Sequence, residues 1–577
     1  MARYKTEREM LQSTLLRDGD YKTTKEVFER LNNFYPKLNI LAELNDKKEI
    51  VYYTCEDVLH EIEALGDGLI SLGLENKHIA LMADNSYRYL ISDVTVAGGV
   101  GVITPIDKDA HEDLIEFLLK TCEADAIICA HYLVNKIEKV LPKLENLKTI
   151  ITIDKKVGDY KTFDEVKALG LLEENKGRYK NKTLNRDKVC EILFTSGTTG
   201  VNKPVELTQK NMSANIINCL DSIKAEKDNN TSMSILPMHH ATEINTHILP
   251  RIAAGRLTYI NGSMKDMMTN IKIFKPYIIT VVPMIANIFY KTIWQQAKKE
   301  GKDKKLKKGI KLCKLLSKFN LDITHKLFKQ VYEPFGGNLK QIVCGGAPLN
   351  PETVKGLKDL GIYIVNGFGI TECGPLVSMN ADTFNEVYSI GKACPKLDVK
   401  IENPDENGIG ELCVRGESVS KGYYKDEEAT KKVHDPDGYF HTGDLVYMDD
   451  EKRLFLAGRK KNLIVLENGK NVYPEELEEK IVNAIDFVRE VMVYEGDCEI
   501  KNEKKHVICA QVFLNPEENK TSEEIILEFR KLNQQMSNYK RISYVIVNDC
   551  EFQKNASRKI VRTKALENHK ISGGLII

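Results

Sequence analysis

The chain has 577 residues, 42% hydrophobic and 29% charged, with 83 basic and 83 acidic side chains and a formal net charge of zero. That length exceeds what one hydrophobic core supports, so two or more domains are expected, and the even charge balance excludes a globally basic nucleic-acid binder. Thirteen cysteines without metal-ligand spacing, a charged N-terminus without an apolar signal region, and no apolar run near the roughly 18 residues of a membrane span lead to a cytoplasmic protein as the expectation.

Residues 1 to about 50 read as polar and helical and carry no recognisable chemistry. From Tyr52 the pattern alternates. Apolar positions at helical spacing predict a helix over residues 56–72, Ile79-Ala-Leu-Met82 predicts a buried strand, and residues 97–105 mix glycine with Val and Ile. Residues 123–129 and 147–153 predict further strands between helices. Such alternation argues for an α/β domain with a largely parallel sheet, whose ligands sit beyond the carboxyl ends of the strands.

The β-prone run Val189-Cys-Glu-Ile-Leu-Phe194 then opens into Thr195-Ser-Gly-Thr-Thr-Gly-Val-Asn-Lys203. Glycines turn main-chain amides towards an anion, hydroxyls donate further hydrogen bonds, and a lysine adds a charge-assisted contact, as a polyphosphate requires. The spacing is not that of the Gly-x-x-x-x-Gly-Lys-Ser/Thr phosphate loop. Alone, a Ser/Thr/Gly loop is more often an ordinary surface turn, so the downstream motifs decide.

Ser234-Ile-Leu-Pro-Met-His-His-Ala-Thr-Glu243 predicts a strand ending in a proline and two histidines. A histidine there is either a polar contact in a substrate channel or a hydrogen-bonded packing residue. No cysteine or carboxylate constellation joins His239, His240 and His247, which argues against a metal site. The stretch bounded by Lys298 and Lys329 holds about a dozen lysines against three acids, with Leu306, Ile310, Leu315 and Leu316 near one face. A basic amphipathic helix of this kind either lies on an anionic membrane surface or is a solvated insertion, and the solvated face is preferred.

Gly336-Gly-Asn-Leu-Lys-Gln-Ile-Val-Cys-Gly-Gly-Ala-Pro-Leu349 predicts a strand, a glycine turn and a helix opened by Asn350-Pro-Glu. Turn glycines admit a flat ligand to the backbone. Asn366-Gly-Phe-Gly-Ile-Thr-Glu-Cys-Gly-Pro375 offers an aromatic face, a hydroxyl and a carboxylate, suited to stacking a base, contacting phosphate and holding Mg2+; the plain alternative is a glycine-rich turn. Asp444, at a predicted strand end, suits a bidentate contact to a ribose diol. The charged joint Gly458-Arg-Lys-Lys-Asn-Leu-Ile464 marks a domain boundary. Beyond it, Tyr473-Pro-Glu-Glu opens a helix, residues 507–514 predict a strand, Thr521-Ser-Glu-Glu524 is a capping box, and Gln553-Lys-Asn-Ala-Ser-Arg-Lys-Ile560 is basic.

In this order the segments resemble the adenylate-forming (AMP-binding) superfamily from Tyr52 to about Ile560, and look most like its long-chain fatty acyl-CoA synthetases. The resemblance implies an α/β fold: a large adenylate-forming domain of stacked α/β sheets plus a β-rich subdomain over residues 1–460, and a small mobile α+β lid over 461–577. It implies ATP, Mg2+ and coenzyme A as co-reactants of a carboxylic acid, giving acyl-AMP and pyrophosphate, then acyl-CoA and AMP. Thr195, Ser196, Gly197, Thr198, Thr199, Gly200 and Lys203 would hold the phosphates. Thr371 would contact phosphate and Glu372 would hold Mg2+. Gly345, Gly346, Ala347 and Pro348, with Asn366, Gly367, Phe368 and Gly369, would line adenine, while Asp444 and Arg459 would hold ribose. Lys559 would bridge the attacking carboxylate and the α-phosphate, and His240 would stand at the mouth of the acyl pocket. Lys461 matches the hinge, and Gly469 lies in the loop matching the pantetheine path.

Three positions depart from the pattern: Pro204 follows Lys203, Arg558 precedes Lys559, and Phe368 replaces a frequent Tyr. None removes an essential group. The alternatives are an acyl-AMP ligase delivering to a carrier protein, a CoA ligase for aryl or short acids, and a silent acyl-nucleotide-binding or membrane-associated protein.

Overall fold

The computed structural model describes residues 22–195, 202–222, 231–319, 321, 323–347, 349–380, 386–466, 470–500, 503–554, 560–567 and 574–577. A seven-stranded sheet runs in the order Lys161–Thr162, Thr149–Thr152, Ala126–Cys129, His78–Met82, Val102–Pro105, Val189–Thr195, Lys203–Thr208. Its strands are parallel except for the last pair, which is antiparallel. The short runs of Ile, Leu and Val in its interior are buried, as both-face coverage of a parallel sheet demands. The helix Cys55–Ser71 begins at a reciprocal Thr54/Asp57 capping box, one residue from the predicted start.

A thirteen-stranded sheet supplies the rest of the larger part. At its centre, Tyr363–Gly369, Gln341–Gly345, Ile278–Val281, Ser232–Ser234, Thr258–Ile260 and Asn39–Leu44 are parallel. Leu376–Met379 turns antiparallel and leads into the β-rich meander of Gly391–Ala393, Arg453–Arg459, Phe440–Met448, Gly410–Gly416 and Leu397–Glu402. Beyond Arg459, a separate four-stranded sheet of Val488–Ile500, Glu503–Leu514, Tyr544–Asn548 and Leu575–Ile576 has its own core of Leu477, Ile481, Phe529 and Val545.

Two expectations fail locally. The N-terminal stretch is not wholly helical: after the helix Thr24–Phe34, Asn39–Leu44 is a strand, paired with Ile50–Thr54 and with Thr258–Ile260. Burial of Ile40, Leu41 and Ala42 stabilises it through a partner more than 200 residues away, which local pattern does not register. In the basic stretch, the inward face of the helix Asp303–Ser317 carries Leu306 and Cys313, both buried, whereas Leu315 is 54% exposed.

Candidate functional site

Thr195 and Lys203 face each other across the antiparallel pair Val189–Thr195 and Lys203–Thr208, so the two ends of the predicted phosphate loop are fixed. Ser196, Gly197, Thr198, Thr199 and Gly200 lie outside the described residues. Pro204 sits on the last strand of its sheet, whose outer edge bridges the Tyr423 segment, and its carbonyl accepts from Tyr424 N at 2.8 Å. Lys203 Nζ stands 4.6 Å from the centre of the Tyr423 ring. Tyr423 in turn donates its hydroxyl to Glu372 Oε1 at 3.0 Å. Burial and Glu372 together hold that phenol protonated, well above its ordinary pKa. Tyr423 is the residue that the sequence pattern missed; the only local signal is a glycine before paired aromatics at Gly422-Tyr-Tyr424.

Thr371 and Glu372 open a short 3-10 turn directly after Tyr363–Gly369. The segment is tied to the meander, since Glu372 O accepts from Ser420 N at 2.8 Å. Gly369 and Pro375, which bracket this turn, line a cavity of about 160 Å³ together with Gly345, Gly346, Gly367 and Phe368. Glycine is required here by close approach: a Cβ at Gly369 would meet Pro375 O at 2.4 Å, and one at Gly345 would meet Gly367 O at 2.9 Å. Asn366 points elsewhere, donating to Ser389 O at 3.2 Å. Ala347 lies in the turn beyond Gly346, and Pro348 falls outside the described residues.

The rest of the wall is mostly apolar but includes Arg251, Arg256, Thr242, Thr246 and His247. Several of these come from Thr242–Ile248, a π-helical stretch whose wider turn brings both Thr242 and His247 to one face. His247 Nδ1 is 3.0 Å from Glu243 Oε1, and both residues are buried. His240 lies two residues before Thr242 and is not among the lining residues. Its ring packs 4.2 Å from that of His239, and burial lowers the pKa of both below the ordinary imidazole value.

A buried polar line joins these parts. Glu191, on the strand entering the phosphate loop, accepts from Asn245 Nδ2 at 2.9 Å; Asn215 Nδ2 donates to Asn245 O at 2.7 Å, and Asn215 Oδ1 accepts from Leu376 N at 3.0 Å. Burial pushes Glu191 up to about 7 and Asp93, beside it, well above the carboxylate range.

Asp444 lies mid-strand in Phe440–Met448, not at a strand end, and is in register with Arg459. Arg459 Nε is 2.8 Å from Asp444 Oδ1, so the two predicted ribose residues are brought together as an ion pair. One residue on, the expected joint contains a 3-10 turn, Lys460–Asn462. Lys460 Nζ is 2.6 Å from Glu411 Oε2, and Asn462 Nδ2 donates to Glu475 Oε1 at 2.6 Å. Half-burial, with Arg459 and Arg562 nearby, lowers the pKa of Lys461. Near the joint, Glu402, Cys413 and His441 form the one group of potential metal ligands found among the described residues. Lys400 at 3.2 Å from Glu402 already balances its carboxylate, and burial keeps the Cys413 thiol neutral up to about 12. Lys559 and Gly469 lie outside the described residues, although Lys554 and Ile560 form a bridge.

Paired α/β sheets, an antiparallel meander and a separate small α+β unit, with a cavity that runs along parallel strands to the glycines at their carboxyl ends, define the class of adenylate-forming folds. A solved anthranilate CoA ligase, AuaEII, in complex with anthranoyl-AMP superposes with a TM-score of 0.75 at 18% identity, covering 95% of this chain and 98% of that one. The o-succinylbenzoate CoA synthetase of Bacillus subtilis in complex with ATP and magnesium ion gives 0.70 at 18% identity, over 93% and 98%. The chain belongs to the AMP-binding enzyme family, which matches residues 32–424. Long chain acyl-CoA synthetase 6, peroxisomal, of Arabidopsis thaliana is 27% identical over 458 residues; the match takes in 75% of this chain and spans 65% of that relative's length.

Proposed function

We propose that this chain is an ATP-dependent acid–thiol ligase that joins a fatty acid to coenzyme A through an acyl-AMP intermediate, with a boundary between residues 460 and 461 separating a large domain from a mobile lid. The observation that carries the reading is the continuity of a cationic and acidic pole, Lys203–Tyr423–Glu372, with a largely apolar cavity whose lining residues Gly369 and Pro375 bracket Glu372. A nucleotide's phosphates and an apolar acid would meet where these two regions join. The long chain acyl-CoA synthetase relative supports the substrate class.

In the first half-reaction, a carboxylate oxygen of the acid bonds to the α-phosphorus of ATP, and the bond from that phosphorus to pyrophosphate breaks. Both reactants are anionic, so cations must stand between them. Lys203 and the loop hydroxyls are assigned to the outer phosphates and Lys559 to the meeting point. Glu372 offers the hard oxygen donor that suits Mg2+, and the ion when bound neutralises phosphate charge. In the second half-reaction, the thiol sulfur bonds to the acyl carbon, the proton leaves the sulfur, and AMP departs as the acyl C–O bond breaks. Lys559 and the incoming thiol would compete for the same space, and rotation at Lys461 relieves that conflict.

A second reading, a ligase for shorter or polar acids, is favoured by Arg251 and Arg256 in the cavity wall. The experiment is a panel from acetate to palmitate with aryl and dicarboxylic acids. It is assayed for acid-dependent pyrophosphate exchange and for AMP release driven by free CoA. Turnover greatest with long monocarboxylic acids upholds the leading reading; preference for short, aryl or dicarboxylic acids replaces it with the second, and no exchange with any acid defeats both.

A further inference from the structure

The helix Asp303–Ser317 packs its inner side, through Leu306 and Cys313, into the core that also contains Ile293 and Leu357. At 100° per residue, Lys304, Lys305, Lys308, Lys311, Leu312 and Leu315 share an outward arc of about 120°. All six are exposed. Among the described residues none of those four lysines forms an ion pair, whereas Lys314, on another side, pairs with Asp359 at 2.7 Å. The apolar side chains continue past the helix: Phe319 is 69% exposed and Leu321 56%, with Leu327 also open. Exposed large apolar groups are thus concentrated where positive charge is densest, a combination that water alone does not favour.

We infer that this face is a docking surface for an anionic lipid bilayer. Leu312, Leu315, Phe319 and Leu321 would enter the interface between headgroups and acyl chains, while the lysine stems extend sideways to place their ammonium groups among lipid phosphates. A nucleic acid would satisfy the lysines but gain nothing from exposed Leu and Phe, and an apolar protein surface would leave the lysines unmatched; a charged bilayer satisfies both. The strands Ile278–Val281 and Gln341–Gly345, which line the cavity, lead directly into the helices Pro283–Lys299 and Pro351–Asp359, and the basic helix packs on both of these. Ile278, Thr280, Gln341 and Val343 face the cavity, whereas Ile279, Val281 and Ile342 face these helices, so the docking face lies on the outer side of the helical layer that backs the cavity's sheet. The inference does not depend on turnover, because lipid contact is read without it.

The test uses the full-length protein sedimented with phosphatidylcholine vesicles, with and without phosphatidylglycerol. Binding should require the anionic lipid and weaken with added salt. Replacing Lys304, Lys305, Lys308 and Lys311 by Gln should cost about fivefold per lysine. The variant Leu312→Ser, Leu315→Ser, Phe319→Ser should lose at least about tenfold, with salt sensitivity retained. Both sets of side chains are exposed, so melting temperatures should stay at the wild-type value, and a melt confirms folding. Equal sedimentation with neutral vesicles, or anionic binding that neither variant weakens, would overturn the inference. So would duplex DNA binding as tight as vesicle binding and indifferent to the Leu and Phe replacements, which would mark a nucleic-acid surface instead.

Discussion

The region we assign to the nucleotide and the turn we assign to the joint use similar residues in opposite ways. On the nucleotide side, Lys203 stands over a ring held by a hydrogen bond to Glu372, and behind them Glu191, Asn245 and Asn215 form a buried line anchored to strand and π-helix. At the joint, one short turn carries Lys460, Lys461 and Asn462, and its ties to Glu411 and Glu475 are single polar contacts. Lys460 is 59% exposed, so water reaches the lysine end of its ion pair, while Glu411 at 7% stays buried. Breaking the buried line leaves polar groups without partners, which is costly. One region is therefore a buried, chained network, while the other is a short turn held by a few polar contacts, the contrast that the proposed function needs.

The comparison is broken most severely by removing the cation assigned to the meeting point. Lys559→Ala should reduce acid-dependent pyrophosphate exchange by about a thousandfold while leaving thioester formation from supplied acyl-AMP largely intact. Next, Tyr423→Ala should lower exchange by about a hundredfold, whereas Tyr423→Phe, which keeps the ring under Lys203 and loses only the bond to Glu372, should cost about three- to tenfold. Equal effects of the two would show that the ring plays no part in placing Lys203.

The smallest expected effect concerns stability. Glu191 is raised by burial to about 7, so between about 4.5 and 7 the folded chain retains a proton that the unfolded chain releases. The Glu191 contribution to stability should fall as pH rises through that window, and Glu478, which burial also raises to about 7, should add to the same slope. Glu191→Gln keeps an acceptor for Asn245, should flatten the slope in a melting-temperature series, and should add about 1–3 kcal/mol at alkaline pH.

Much of this was legible in the sequence because the motifs sit where strands end, and strand ends are local. The helix start near residue 56, the Gln341–Gly345 strand with its glycine turn and the Thr521 capping box all follow from neighbouring residues. What was not legible depends on distant partners. Asn39–Leu44 becomes a strand through Thr258–Ile260, Tyr423 matters only because Lys203 and Glu372 converge on it, and Asp444 sits mid-strand because its partner is Arg459. His247 joins the cavity wall through a π-turn, which a 3.6-residue periodicity cannot anticipate.

Lys461→Pro assayed for the two half-reactions separately bears most directly on the contrast between a fixed nucleotide side and a releasable joint. Pyrophosphate exchange should stay within about threefold of wild type while CoA-dependent release of AMP falls by about a hundredfold or more. Equal loss of both half-reactions, or undiminished CoA transfer, would contradict it.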